Sequence, residues 1–135
     1  MTELVCYPSA KDSTVYEVPE TVTYLRHMSL FYAYNIKKFI SKSIQYIQHG
    51  VFSPQMNIED LELYNIDTIS TIFAGWEKLK NVKIITDYVL DFGRSGNFVG
   101  CSSLEYVYIK CKNVLVNVYE YGHTNPAFTG CYNLK

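Results

Sequence analysis

Three neighbouring carboxylates are the residues of this sequence that come nearest to an acid–base set. Glu59, Asp60 and Glu62 lie within four consecutive positions. Acid–base chemistry at neutral pH needs a carboxyl group whose pKa is raised, through burial or through a neighbouring charge. These three share one short charged segment with no sign of a pocket around it. We therefore expect a solvated face here rather than an active site.

The histidines give no clearer indication of catalysis. His27, His49 and His123 are far apart in the sequence, and none has the H-x-x-x-H or H-x-E spacing of a metal or deaminase site. His27 and His49 each precede an aromatic residue by a few positions, which favours a turn or the outer side of the molecule. The sequence thus predicts that the protein is not an enzyme and needs no cofactor or metal.

Length, charge and composition restrict the remaining classes. The chain has 135 residues, which suits one domain, 1–135, and its 12 Lys and Arg against 13 Asp and Glu give a net charge of -1. That balance argues against nucleic acid as a partner. No apolar run is long enough to span a bilayer, so we expect no membrane insertion. Thirteen Tyr and seven Phe favour strands over helices.

Short repeated strands are the elements that must position the candidate side chains. The pattern apolar-x-x-apolar-x-apolar is present in IEDLEL at 58–63, LKNVKI at 79–84 and LEYVYI at 104–109, with weaker copies at 36–41 and 13–18. A unit of this size cannot bury its own apolar side, so neighbouring units must stack into a solenoid. Alternation then sends Val107 and Ile109 inward and Tyr106 and Tyr108 outward.

Each unit closes on an aromatic residue that we expect to fill the far side of the core. The predicted anchors are Phe31, Phe52, Phe73, Phe98 and Phe128. The spacing widens toward the end of the chain, and the extra residues fall at 89–97 and 118–126, which are rich in turn formers. The predicted boundaries are an N-terminal segment at 1–12 and units at about 13–35, 36–57, 58–78, 79–103 and 104–133.

The phrases VPETVTYL, FVGCSSLEYVYI and AFTGCYNL resemble the BspA-like class of leucine-rich repeats. The resemblance extends from Leu4 to Leu134 and is strongest in the first and last units. It implies an α/β, β-dominated fold: a right-handed leucine-rich-repeat solenoid with one parallel strand ladder of about five rungs. It also implies a surface protein that mediates adhesion or protein contacts.

The four cysteines are expected to be free thiols. Cys101 and Cys131 occupy the repeat's own cysteine position, one rung apart, where parallel side chains would strain a disulfide. Cys6 and Cys111 fit no zinc spacing. Cys111 falls at a polar turn position, so we expect it to be the most reactive of the four.

Stacked rungs place equivalent residues in columns on the exposed face. The first predicted column, Thr14, Lys37, Glu59, Lys80 and Glu105, alternates in charge from Lys37 onward; the second is Val15, Lys38, Asp60, Asn81 and Tyr106; the third is Glu17, Ile40, Glu62, Lys83 and Tyr108. Exposed tyrosines beside charge are typical of protein-binding hot spots. We therefore predict a binding face with Tyr106 and Tyr108 as anchors and Lys38, Asp60, Glu62 and Lys83 as its rim.

Three alternatives for function stay open. The protein could bind another protein through the strand face, it could self-associate through its C-terminal end as a subunit of a virion or surface layer, or it could be a small protein inhibitor. The resemblance implies a cell-surface or extracellular location. The lack of a secretion signal in this chain leaves a cytoplasmic or virion-associated location open as well.

Overall fold

The computed structural model describes residues 2–7, 12–66, 73–91, 96–115 and 126–135. Within these ranges the chain coils as a parallel-stranded solenoid. Its strands are β1 (Thr2–Leu4), β2 (Val15–Glu17), β3 (Val22–Leu25), β4 (Lys38–Ser41), β5 (Tyr46–Ile47), β6 (Asp60–Tyr64), β7 (Asn81–Ile85), β8 (Val89–Asp91), β9 (Tyr106–Lys110) and β10 (Asn113–Leu115). A short 3-10 turn covers Pro126–Phe128.

The main ladder is a five-stranded parallel sheet in the order β2-β4-β6-β7-β9. Its five strands are the five rungs that the repeat predicted, and β2 and β9 are its edges. Two shorter parallel sheets, β1-β3-β5 and β10-β8, run beside it, although the sequence had predicted a single ladder. They form because the coil stays extended after each turn, so a second set of backbone groups comes into pairing distance.

The inward positions of the main ladder form the core. Tyr16, Phe39, Leu61, Val82 and Val107 are in register from one rung to the next. All but Val107 are buried, and Leu61 is 1% exposed. Parallel in-register pairing puts equivalent side chains one strand spacing apart, which packs like residues into a continuous column.

A stack of aromatic rings fills the side of the core opposite the ladder. Ring centroids lie 6.3 Å apart for Phe52 and Phe73, 5.5 Å for Phe73 and Phe98, and 5.4 Å for Phe98 and Phe128. Trp76 packs edge-on against both Phe52 and Phe73 at 5.1 Å. The closing aromatics at these four positions therefore act as predicted.

The prediction that Phe31 fills the core as the anchor of its unit is wrong. Leu30 pairs in parallel with Phe52 and is 1% exposed, so it takes the anchor position in its rung. Phe31 is only half-buried and packs against Tyr32 at 5.1 Å. The reason is backbone register: Leu30 is the residue whose backbone pairs with the next rung, and a shift of one position turns a side chain away from the core.

A column of residues in the left-handed region lets the chain turn beside the aromatic stack. Gly75, Gly100 and Gly130 have φ of 78°, 75° and 82°. All three turns need the conformational freedom of glycine, and Gly130 also needs its small size, since a Cβ there would lie 3.3 Å from the Gly100 backbone.

The predicted insertions lie largely outside the described residues. Within the first, Val89–Asp91 forms strand β8 and pairs with β10, so that part is a strand rather than a loop. Of the second, only Pro126 is described.

Candidate binding face

The outward columns of the main ladder have the register that the sequence predicted. Lys38, Asp60, Asn81 and Tyr106 are successive partners, and so are Ile40, Glu62, Lys83 and Tyr108. The strands that bury the core therefore also fix this face, because side chains alternate between the two sides of a strand.

The first outward column is held by backbone pairing and by charge. The amide N–H of Glu59 donates to the carbonyl of Lys37, that of Lys80 to Glu59, and that of Glu105 to Lys80. The Lys80 ammonium lies 2.7 Å from the Glu59 carboxylate. The Lys135 amide N–H donates to Glu105 at 3.2 Å, which extends the alternating column by one more rung.

Glu62 is the most constrained carboxylate of the face. Its Oε1 contacts the Lys38 ammonium at 2.5 Å, and its Oε2 accepts a hydrogen bond from the Tyr64 hydroxyl at 2.8 Å. The bond to Lys38 is the main cause that lowers the pKa of Glu62 below its ordinary value. The same bond raises the pKa of Lys38. Both groups are thus held in their charged forms.

Asp60 and Lys83 each have a neighbour on an adjacent rung. The Asn81 amide donates to Asp60 Oδ1 at 2.7 Å. The Lys83 ammonium lies over the Tyr64 ring, 5.5 Å from its centroid. Contact with Tyr64 is the main cause that raises the pKa of Lys83. Three of the predicted rim residues therefore have polar partners inside the ladder: Lys38 and Glu62 bind each other, and Asp60 binds Asn81. The fourth, Lys83, packs against the ring of Tyr64.

Tyr106 and Tyr108 differ from this charged part of the face. They are 54% and 56% exposed, and their outward positions on one strand are about 7 Å apart. The Lys135 ammonium approaches the Tyr106 ring at 5.9 Å from its centroid. The two rings present apolar surface to solvent, and among the described residues their hydroxyl groups have no hydrogen-bond partner.

A shallow open depression joins five of the six predicted site residues. Its lining is Asp60, Leu61, Glu62, Asn81, Val82, Lys83, Ile85, Tyr106 and Tyr108. Lys38 lies outside it and reaches the depression through Glu62. The structure therefore brings the predicted anchors and rim together on one surface.

Sequence reasoning missed Tyr64, Ile85, Lys110 and Lys135 as members of this face. Tyr64, Ile85 and Lys110 form a further outward column, in which Tyr64 pairs with Ile85 and Ile85 with Lys110. Each follows a predicted outward residue by two positions, so extending the alternation would have found them. Lys135 continues the alternating charges of the first column, which was also visible in the sequence.

The cysteines and histidines do not converge on a site. All four cysteines are free; Cys101 and Cys131 donate to the carbonyl oxygens of Phe73 and Phe98 at 3.2 and 3.1 Å. Burial raises the pKa of Cys101 to about 12, which suppresses its thiolate. Cys6 is exposed and Cys111 is half-buried; the expectation that Cys111 is the most reactive stays a prediction.

The two described histidines lie together at a turn. His27 Nδ1 contacts the His49 carbonyl at 2.9 Å, and both residues are exposed. His123 lies outside the described residues. No group of three or more His, Cys, Asp or Glu side chains that could hold a metal ion occurs in the described part of the chain. The same part of the chain contains no helix with the length and apolarity that a membrane span requires.

The solenoid is similar to the crystal structure of a leucine rich cell surface protein from Faecalibacterium prausnitzii A2-165. The match has a TM-score of 0.71 at 21% sequence identity and covers 98% of this chain and 34% of that one. Our chain thus spans about a third of that protein's length. No family model matches the sequence, and the search of curated proteins gave no match.

The fold is therefore that of a leucine-rich-repeat solenoid, as the resemblance to the BspA-like class implied.

Proposed function

We propose that this protein is a non-catalytic interaction module that binds another protein through the tyrosine end of its main ladder. The observation that carries the proposal is the pair Tyr106 and Tyr108, both more than half exposed on one strand beside a depression. Aromatic anchors of this kind supply much of the free energy at protein interfaces. The name of the similar structure supports a surface role, and we propose a cell-surface location on that ground.

Tyr106 and Tyr108 could instead serve to pack neighbouring rungs together, but the geometry does not favour this role. Asn81 and Lys83 are their partners on the preceding rung, and both tyrosines stay more than half exposed even with Lys135 over the Tyr106 ring. Half-buried Tyr24 and exposed Tyr46, which are register partners on two strands of another sheet, do stack, with centroids 5.4 Å apart. The contrast supports a binding role for Tyr106 and Tyr108.

The test is a matched set of variants. The double variant Tyr106→Ala/Tyr108→Ala should lower the affinity for a captured protein partner at least tenfold, because truncating aromatic hot-spot residues costs about 2 kcal/mol or more of binding free energy. Tyr88→Ala is the control, since Tyr88 is 52% exposed but lies off the ladder face. Affinity is measured by calorimetry on purified partner, and folding by circular dichroism. Equal affinity of the double variant and wild type would refute the proposal.

Self-association is the second candidate, and exposed apolar surface at the C-terminal rung favours it. Tyr132 is 88% and Leu134 37% exposed, and the amide of the neighbouring Lys135 donates to Glu105, the residue before the edge strand β9. An exposed edge strand invites pairing with another chain. Light scattering during size exclusion, with reductant present, checks this: Leu134→Lys should dissociate any oligomer, and a monomer at all concentrations would exclude the candidate.

A further inference from the structure

The charges around Tyr106 and Tyr108 are unevenly balanced, and this imbalance indicates what kind of partner they suit. Lys83 is the register partner of Tyr108, Lys110 follows it on the same outward side of β9, and Lys135 lies over Tyr106. Three lysines therefore lie on the outward side of the two rungs that carry the rings, and the ammonium group of Lys135 contacts one of the rings.

The acidic groups of the ladder are already engaged elsewhere. Glu17 binds Lys42, Glu59 binds Lys80, and Glu62 binds Lys38. Glu105 is the nearest acid on the same rung as the tyrosines, and its charge acts on Lys80. Among the described residues, no carboxylate side chain pairs with Lys83, Lys110 or Lys135. Lys83 contacts the Tyr64 ring and Lys135 the Tyr106 ring, but none of the three lysines forms a salt bridge within the described part of the chain, so their charges can still attract a partner.

We propose that the face over β7 and β9 binds an acidic peptide segment of the partner protein, with its carboxylates toward β9; this inference rests on the proposed function. The aromatic pair supplies apolar contact, and the three lysines supply complementary charge. An extended segment suits the open, shallow shape of the depression better than a compact small molecule does.

Asp60 gives the bound segment a direction. Its carboxylate lies in the same depression, two rungs from Tyr106, where it would repel an acidic group placed over β6. Carboxylates of the ligand should therefore lie near Lys83 and Lys110, and its uncharged or basic residues near β6. Charged variants on the two sides of the depression should then have opposite effects on affinity.

The test uses phage-displayed random dodecapeptides, selected on the full chain and depleted on the Tyr106→Ala/Tyr108→Ala variant. We expect net-negative clones. As synthetic peptides they should bind Lys83→Gln/Lys110→Gln about tenfold more weakly and Asp60→Asn more tightly, with affinity falling as salt rises. Lys37→Gln is the control, because Lys37 is exposed on the same ladder but far from the tyrosines, and it should leave binding unchanged.

Each contrary outcome has its own meaning. Neutral or basic clones that require the tyrosines would overturn the acidic ligand and leave the proposed function standing. If depletion on the tyrosine variant removed every clone selected on wild type, the result would count against the proposed function itself. Tyrosine-dependent binding of heparin, without acidic peptides, would overturn the choice of a peptide in favour of a polysaccharide.

Discussion

The inward and outward sides of the main ladder use the same strands and the same register, yet they differ in what their side chains do. Inward residues such as Leu61 and Val82 are at most 2% exposed and contact one another continuously. Outward residues pair with charges on neighbouring rungs or, at Tyr106 and Tyr108, face solvent. The comparison teaches that the inner columns hold the fold together, while the outer columns can change with little effect on stability and so can serve binding.

The largest expected effect is the difference in stability loss between substitutions of two neighbouring residues of β6. Leu61→Ala should destabilise the protein by about 2–5 kcal/mol, because it removes buried methyl groups and leaves a cavity. Glu62→Ala on the opposite side of the same strand should cost about 1 kcal/mol or less. Urea unfolding measures both. Similar losses for the two variants would contradict the division between the faces.

A smaller effect should separate two valines of one inward column. Val82 is 2% exposed, whereas its register partner Val107, on the edge strand, is only half-buried. Val82→Ala should therefore cost about 1 kcal/mol more than Val107→Ala, since less apolar surface is buried at the edge. The free energies of unfolding of the two variants give the difference directly. If Val107→Ala were as costly, the last rung would be covered in solution.

The smallest expected effect is the pH dependence of the stability that Glu62 contributes on the outward side of the ladder. The pKa of Glu62 is lowered in the folded state, mainly by Lys38, so its contribution to stability is complete above its ordinary pKa of 4.5 and is lost as pH falls through the lower folded value. The contribution should be about 1 kcal/mol or less, because exposed ion pairs are weak.

Glu62→Gln tests this contribution through unfolding midpoints at pH 7 and pH 3.5. The variant should lose part of the acid-induced drop in stability that wild type shows. Glu77→Gln is a suitable control, since Glu77 is exposed and lies off the ladder strands. An acid dependence identical to wild type in Glu62→Gln would show that the bond to Lys38 contributes nothing.

Much of the fold could be predicted because its signals are local. The apolar pattern that repeats at 58–63, 79–84 and 104–109 specifies strand, inward side and register together, and the outward columns followed from it without any knowledge of packing. The anchor Phe31 failed for the opposite reason. Leu30 and Phe31 are adjacent and both apolar, and only the pairing of Leu30 with Phe52 decides which one faces the core.

By itself, the sequence determined a stack of about five rungs with Tyr106 and Tyr108 on its exposed side, because alternation along a strand and repetition between strands are properties of the chain. Only the tertiary structure decided which charges pair. Lys38 reaches Glu62 two positions beyond its register partner Asp60, and Lys80 pairs directly with Glu59. Such choices depend on the reach of long side chains between rungs, and that distance exists only once the solenoid has formed. Within the described residues, the same pairing leaves Lys83, Lys110 and Lys135 without a salt bridge near the two tyrosines.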